Sequence, residues 1–563
     1  MSFQRVTQAA TLVLFVGLLL LAAHPFREGL PVDFFLRLDP LIGVGTIIAA
    51  RDFLYFLLPG LIILVSALFL GRYFCGHICP MGTTLDIVSG PVDSRRKARV
   101  SDRSFEATSR YRSWKYLGLI GIVGAAVGGV SLVHLGSPLS LATRLYGLCL
   151  YPIAGLLGDS GLALVSPWLT RLGLYQLAYL QIPQKVFATN IFVAALFVGI
   201  VLLAYFQPRF WCRNLCPSGA LLGLFSRSPL IKRRVDSSCT ECGRCIRECP
   251  VGAIREDPFR TVHSECIVCL HCTKACPVSA ISFGLAASAA GGASSVPDPT
   301  RRGMLVAGGA GLLTAGLLRT GIRQPRSRGR NNPLVDPELI RPPGSMPETE
   351  FRARCVRCGE CMKACPTNTL QPIWLKAGLE GLFTPAMTPR LAACATHCNV
   401  CGKVCPTGAI RDLPLVEKQH AKVGTAWIVR ENCLVWEQDK KCLVCDEACP
   451  YNAISFRAVP GKLNAAPFVV ENRCLGCGWC ETKCPVEGAS AIRVNIMGEV
   501  RLASGSYQQK AREYGLVFKT KDNSLDSLAP GTFELPDTGP EQGASQPPTR
   551  RPKPELPPGF TTN

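Results

Sequence analysis

Charge is thin in this 563-residue chain: 40 acidic residues stand against 61 basic ones, and both signs together make up only 18%. With 48% apolar residues, that scarcity excludes a disordered scaffold, which could not be so poor in charge and so rich in apolar side chains. Histidine is sparse too. There are seven, and no two face each other within an apolar run, which argues against a transmembrane b-haem. No small-residue cleavage site follows the first apolar run, so a removed signal peptide is a poor reading. The length and the lipid-like runs exclude a small disulfide-stapled module. The net charge of +21 invites a nucleic-acid reading, which fails because the basic residues flank apolar runs.

What the chain has in quantity is apolar length and cysteine. Four runs, 6–24, 52–71, 116–134 and 186–207, approach or exceed the roughly 18–20 apolar residues that cross a bilayer, too long and too uncharged for ordinary core helices. The loop after the second run carries Arg95, Arg96, Lys97, Arg99, Arg103, Arg110, Arg112 and Lys115. The loop after the fourth carries Arg209, Arg213, Arg227, Lys232, Arg233 and Arg234, while the opposite loops hold only Arg27, Arg37, Arg51, Arg144, Arg171 and Lys185. The positive-inside rule then puts the N-terminus and both richer loops in the cytoplasm. The runs form a repeat: RYFCGHICPMG at 72–82 matches PRFWCRNLCPSG at 208–219. Each half also holds a shorter apolar outer segment opening at Pro40-Leu41 or Pro138-Leu139. Neither is long enough to span comfortably, so interfacial or re-entrant helices are expected.

Twenty-nine cysteines carry the chemistry. CTECGRCIRECP at 239–250 and CIVCLHCTKACP at 266–277 fit C-x2-C-x2-C-x3-C-P, in which three thiolates embrace one cubane and the fourth ligates its neighbour. Cys239, Cys242, Cys245 and Cys276 are expected to hold one [4Fe–4S] cluster, and Cys266, Cys269, Cys272 and Cys249 a second; zinc does not follow this pattern. Four further groups lie downstream. Cys355, Cys358, Cys361 and Cys365, and Cys474, Cys477, Cys480 and Cys484, keep the regular spacing. Cys394, Cys398, Cys401 and Cys405 have one extra residue in the first gap, and Cys433, Cys442, Cys445 and Cys449 have eight residues between the first two. First-with-fourth and second-with-third pairing is favoured over consecutive pairing. CPVGAI, CPVSAI, CPTGAI and CPYNAI recur at 249, 276, 405 and 449, and their Ala-Ile is expected to pack each small core. The count reaches six clusters. Cys75, Cys79, Cys212 and Cys216 remain for a four-thiolate metal or seventh cluster site, for redox-active thiols or for shaping helix ends; Cys149 reads as a buried inert thiol.

Residues 1–285, with four apolar runs, two C-x3-C-P motifs and two ferredoxin motifs, resemble the NapH/MauN family. Residues 300–500, with Thr300-Arg301-Arg302 ahead of an apolar stretch and four cluster motifs, resemble NapG/MauM ferredoxin-type proteins. The resemblance implies a natural fusion: a membrane quinol dehydrogenase component passing electrons to a periplasmic c-type cytochrome or reductase, or serving a methylamine dehydrogenase system. A twin-arginine leader exports folded, cofactor-loaded domains, and stretch 304–318 is expected to stay as a fifth span that leaves the distal half periplasmic. Arg319, Arg323, Arg326, Arg328 and Arg330, just beyond it, oppose that placement. A re-entrant hairpin would leave every cluster in the cytoplasm.

The fold class expected is a membrane α-helical bundle of four spans plus a fifth, with appended α+β bacterial-type 2[4Fe–4S] ferredoxin domains. Its parts are a membrane domain at 1–225, a cytoplasmic ferredoxin domain at 226–285, a linker with the apolar segment at 286–345, a four-cluster domain at 346–500 and a mostly disordered tail at 501–563. Quinol oxidation needs a proton acceptor beside an apolar slot. His24, Asp39, Asp52 and His134 are the outer-side candidates, and His77 serves if the site is cytoplasmic. The rival function is a maturation factor that reduces a metal or thiol on a client, with the four membrane cysteines as its working end.

Overall fold

The computed structural model describes residues 3–26, 29–97, 109–179, 184–255, 257–285, 300–320 and 338–520. The expectations placed on Arg27, Arg99 and Arg103, on the linker 286–299, on Arg323, Arg326, Arg328 and Arg330 and on the tail from 521 lie outside the described residues. Side chains from 90 to 110 are likewise outside them.

Proline sets where four of the helices begin. Pro40, Pro80, Pro138 and Pro217 each take the first helical position, where a missing N–H costs nothing and the fixed φ suits the turn. Phe3–Leu21 is a continuous apolar helix of 19 residues, and Pro138–Arg171 is one of 34. These two are long and apolar enough to cross a membrane; Pro40–Ala50, Tyr55–Leu70, Ser113–Val127 and Asn190–Leu203 are shorter apolar helices. The expectation that the Pro138 segment is short is therefore corrected: it runs through a π-turn at Leu145–Leu150 into Tyr151–Arg171. The runs at 52–71, 116–134 and 186–207 are less helical than their hydropathy suggests. Gly71 and Gly129 adopt positive φ at the ends of the second and third, and residues 184–189 enter the fourth without helix.

Ser113–Val127 packs along Arg301–Thr320 through small residues. A Cβ on Gly124 would lie 2.7 Å from the Gly308 carbonyl, and one on Gly311 2.3 Å from the Gly121 carbonyl. Gly128 meets Ala315 further along, so the two helices run in the same direction in backbone contact. Val13, Ile62, Leu164, Ile191 and Leu305 are all more than 60% exposed, which gives this helical body an apolar outer surface.

Two cysteine-rich bodies cap it. The first is bounded by Ile231–Val235 paired antiparallel with Ile281–Leu285. The second uses three antiparallel ribbons: Leu370–Pro372 with Pro385–Met387, Thr425–Ile428 with Ile492–Asn495, and Ile454–Arg457 with Ala466–Val469. A further helix, Tyr507–Glu513, is tied to the second body through Glu417, which accepts from Tyr507 N at 2.6 Å and from Ser506 Oγ at 2.6 Å; order thus extends past 501, where the tail was expected to start.

The bodies grip opposite ends of the same helices. At one end of Phe3–Leu21, Gln4 and Gln8 donate to the Gly76 carbonyl, and Gly76 lies against Ile267 of the first body. At the other end, Lys363 of the second body donates to the carbonyls of Leu19 and Ala22. Before Ser113–Val127, Arg112 donates to the Gly252 carbonyl at 2.8 Å, and beyond the helix the Ser131 carbonyl accepts from Arg357 at 3.1 Å. A 19-residue helix is on the order of 30 Å long, which sets the scale of the gap.

Candidate functional site

Each cysteine triplet lies on a tight loop that runs into a short helix. In the four regularly spaced sets the residue after the second cysteine turns the chain left-handed: Gly359 has φ 85° and Gly478 has φ 90°, and Leu270 adopts φ 61° where the sequence offers no glycine; Asn399 and Leu443 in the other two sets stay at negative φ. Cys239, Cys242 and Cys245 share a cavity with Cys276. Cys266, Cys269 and Cys272 face Cys249. The fourth cysteine of each of these two motifs thus lies with the triplet of the other.

In the distal body, Cys355, Cys358 and Cys361 ring a cavity with Cys405, while Cys394, Cys398 and Cys401 face Cys365. Cys433, Cys442 and Cys445 close a cavity with Cys484, and Cys474, Cys477 and Cys480 close one with Cys449. Pairing is therefore consecutive, first with second and third with fourth, and the favoured first-with-fourth scheme is corrected. The reason is local. The ribbon Leu370–Pro372 with Pro385–Met387 returns the chain between Cys365 and Cys394, and Ile454–Arg457 with Ala466–Val469 does so between Cys449 and Cys474. The long gap after Cys433 is taken up by the Leu434–Gln438 helix, so Cys433 still joins its set.

The sets suit soft, multi-iron cofactors. Their walls are thiols and apolar side chains, and backbone amides point at sulfur: Ala253 N to Cys249 Sγ at 3.2 Å, Ala453 N to Cys449 Sγ at 3.3 Å and Ala426 N to Cys474 Sγ at 3.3 Å. The Ala-Ile repeat thus does two jobs. Its side chains are buried in all four copies, and its alanine N–H bonds the thiol four residues earlier in two of them. Burial pushes the Cys355 thiol up to about 11 and the Cys445 thiol up to about 12, so only a bound cation would make these groups thiolates at neutral pH. Among the described residues, no three His, Cys, Asp or Glu side chains are placed to hold a single metal ion.

The two C-x3-C-P motifs also meet. Cys75, Cys79, Cys212 and Cys216 lie close enough to interact electrostatically, with Cys79 and Cys216 buried. The motifs are crossed: Arg72 of the first lies against Gly219 of the second, and Arg209 of the second lies against Gly82 of the first. A Cβ on Gly219 would lie 2.6 Å from the Arg72 guanidinium and one on Gly82 3.0 Å from the Cys75 carbonyl, which leaves room only for glycine at the end of each motif. Both arginines are buried and paired, Arg72 with Glu265 at 2.8 Å and Arg209 with Asp86 at 2.6 Å. Glu265 immediately precedes Cys266, and the His77 ring nitrogen Nε2 meets the Val268 carbonyl at 3.1 Å, so a proximal cysteine set sits beside the four cysteines.

The 4Fe-4S binding domain family matches residues 52–101 and 189–237, and two 4Fe-4S dicluster domain families match 238–281 and, twice, 354–409 and 440–488. The methylamine utilization ferredoxin-type protein MauM of Methylorubrum extorquens is 37% identical over 211 residues, 35% of this chain and 89% of that protein. The chain belongs to the NapG/MauM ferredoxin-type family. The MauM of Paracoccus denitrificans is 41% identical over 28% of this chain and 72% of its own length. The ferredoxin-type protein NapG of Escherichia coli is 36% identical over 36% of this chain and 87% of its own. This NapG/MauM-type chain is thus an iron–sulfur electron-transfer protein with several [4Fe–4S] binding domains.

The proton-acceptor candidates of this ferredoxin-type protein do not gather in one place. His24 is exposed, and Asp52 pairs with Arg354 at 2.9 Å on the surface of the helical body. His77 is buried at the opposite end, stacked on Tyr73 with ring centroids 4.3 Å apart. His134 is buried against Arg357, whose guanidinium reaches Nε2 at 3.0 Å. Asp39 is fully buried and accepts from Leu41 N at 2.9 Å, Ser137 Oγ at 2.6 Å and Ser218 Oγ at 2.8 Å. None of the five lines the apolar slot formed by Leu141, Arg144, Phe192, Phe197, Ile200 and Phe383. Arg144 is the charged residue there, and the sequence signal for it was a lone arginine inside an apolar outer segment.

Proposed function

We propose that the chain is a natural fusion of a NapH/MauN-like membrane part with a NapG/MauM-like polyferredoxin, and that it oxidises quinol and hands electrons to a periplasmic c-type cytochrome or reductase. The observation that carries this reading is the placement of the two cysteine-rich bodies at opposite ends of the same apolar helices. Arg301–Thr320, running beside Ser113–Val127 in the same direction, is the segment that takes the chain from one side to the other. The exposed apolar side chains of the helical body face lipid. The N-terminus and the first ferredoxin domain are then cytoplasmic and the distal body periplasmic, in the inner membrane.

In this reading the six sets of four cysteines hold six clusters, which supply one-electron carriers. Cys75, Cys79, Cys212 and Cys216 hold a seventh, its negative charge offset by Arg72 and Arg209. Quinol binds in the slot beside Arg144, where Phe192 and Phe383 give the ring apolar walls. Arg144 and the distal Cys358 interact electrostatically, so the slot opens next to a distal centre.

Mixing detergent-purified protein with menaquinol and following cluster absorbance and EPR tests the reading. Reduction by quinol is expected; no reduction where dithionite succeeds favours the maturation-factor role. That rival needs the four cysteines to reach a client, and Cys79 and Cys216 are 6% and 4% exposed.

A further inference from the structure

If the two cysteine-rich bodies lie on opposite sides of a bilayer, electrons held by the cytoplasmic centres reach the periplasmic ones only through the helical body between them. Residues inside that body link the two ends. Ser218 stands two residues after Cys216 in the second C-x3-C-P motif, and its Oγ donates to Asp39 Oδ1 at 2.8 Å. The other oxygen of Asp39 accepts from Ser137 Oγ at 2.6 Å. Ser137 Oγ in turn accepts from Ser140 N at 3.1 Å, and Ser140 Oγ donates to the Val356 carbonyl at 2.9 Å. Val356 directly follows Cys355, and with Cys358 it is buried in the core that the helical body builds from Leu36, Leu41 and Leu139. Asp39, Ser137, Ser140 and Ser218 are each no more than 1% exposed.

A carboxylate at the centre of this body needs a reason. As a helix cap alone it would need one oxygen and one amide; both of its oxygens are engaged, and they join the start of the Pro217 helix to the start of the Pro138 helix. Covalent bonds and short hydrogen bonds couple redox centres more strongly than gaps between packed side chains do. The connection is also buried, so bulk water does not screen charge moving along it.

We propose that Ser218, Asp39, Ser137 and Ser140 form the electron path between the four-cysteine site and the set Cys355, Cys358, Cys361 and Cys405, so that charge crosses without a diffusing quinone. This rests on the reading that both sites hold iron–sulfur clusters. With clusters bound, one electron would pass from a four-cysteine centre, itself reduced through the neighbouring Cys266, Cys269 and Cys272 set, to an oxidised centre at the distal set. No proton moves and no bond breaks; Asp39 positions the two serines and is itself neither oxidised nor reduced.

Full-length protein in quinone-free vesicles, with dithionite trapped inside and ferricyanide outside, tests the path. Wild type is expected to reduce the outer ferricyanide without added menaquinone. Asp39→Leu and Ser140→Ala are expected to slow that transfer about tenfold or more while keeping wild-type iron content and cluster EPR. Asp39→Asn, which keeps the hydrogen-bonding shape, restores most of the rate. Transfer that requires added menaquinone overturns the path, as does a wild-type rate in Asp39→Leu and Ser140→Ala at full iron content. If Asp39→Leu does not assemble, Ser140→Ala alone decides. Protease treatment of the same vesicles separates the underlying reading: if both cysteine-rich bodies are cut, or both protected, in every vesicle, the trans-bilayer arrangement fails instead.

Discussion

Lys115 donates to both carboxylate oxygens of Glu265, each at 2.6 Å, in a site where neither side chain is more than 1% exposed. Arg72 reaches the same carboxylate at 2.8 Å. One acidic residue of the first cysteine-rich body therefore neutralises two buried cations of the helical body, and the junction between them depends on it. Glu265→Gln leaves those cations without a counter-charge and is expected to destabilise the junction by about 3–5 kcal/mol. Hydrogen exchange of residues 231–285 should rise sharply in that variant while the distal body is unchanged.

Acid should loosen the distal body through Glu348. Burial alone would raise its carboxyl, but Arg341 and Arg501, at 2.7 Å each, outweigh burial and hold it at about 2. A depressed carboxyl contributes its full stabilisation above the unfolded value of 4.5 and loses it as pH falls from there toward about 2. Glu348→Gln is expected to be less stable than wild type at pH 7 and to show a flatter fall in stability across that window, measured by chemical denaturation at stepped pH.

Consecutive pairing in the distal body is open to a direct check. Cys405→Ser should perturb the centre at Cys355, Cys358 and Cys361, and Cys484→Ser the centre at Cys433, Cys442 and Cys445. EPR of each variant combined with Cys358→Ser tells the schemes apart. If Cys405 shares a centre with Cys358 the double variant loses no more signal than Cys358→Ser alone; an additive loss would return the pairing to first with fourth.

The glycine seam between Ser113–Val127 and Arg301–Thr320 leaves no room for a side chain. Gly311→Val puts a Cβ 2.3 Å from the Gly121 carbonyl oxygen and is expected to cost about 1–3 kcal/mol or to part the helices. Gly309→Val, with open space around it, is the control. Cross-linking between the two helices should fall in the first and persist in the second.

Replacing Cys75 and Cys212 together with serine removes half of the four-cysteine site. A cluster there predicts about four fewer iron atoms per chain, with the ferredoxin EPR signals retained. Unchanged iron would assign these thiols to another role.

The triplets of cysteines, the Cys-Pro closures and the Ala-Ile repeats were legible in the sequence because the ligands of one cube come mostly from one short loop, so their spacing is a local property. Pro40 and Pro138 likewise marked helix starts by local geometry alone. Other features depended on which distant segments meet. The apolar runs read longer than their helices, since hydropathy does not register where Gly71 and Gly129 turn the backbone. The fourth ligand of each distal set was decided by the ribbons that fold the chain back, and no spacing rule encodes that return. Arg72 meeting Gly219, Arg209 meeting Gly82 and Asp39 joining Ser137 to Ser218 are contacts across many tens of residues. Sequence thus determined which residues can bind iron, through short-range chemistry; tertiary packing decided which centres are neighbours, because a buried charge must find its partner wherever the fold brings one.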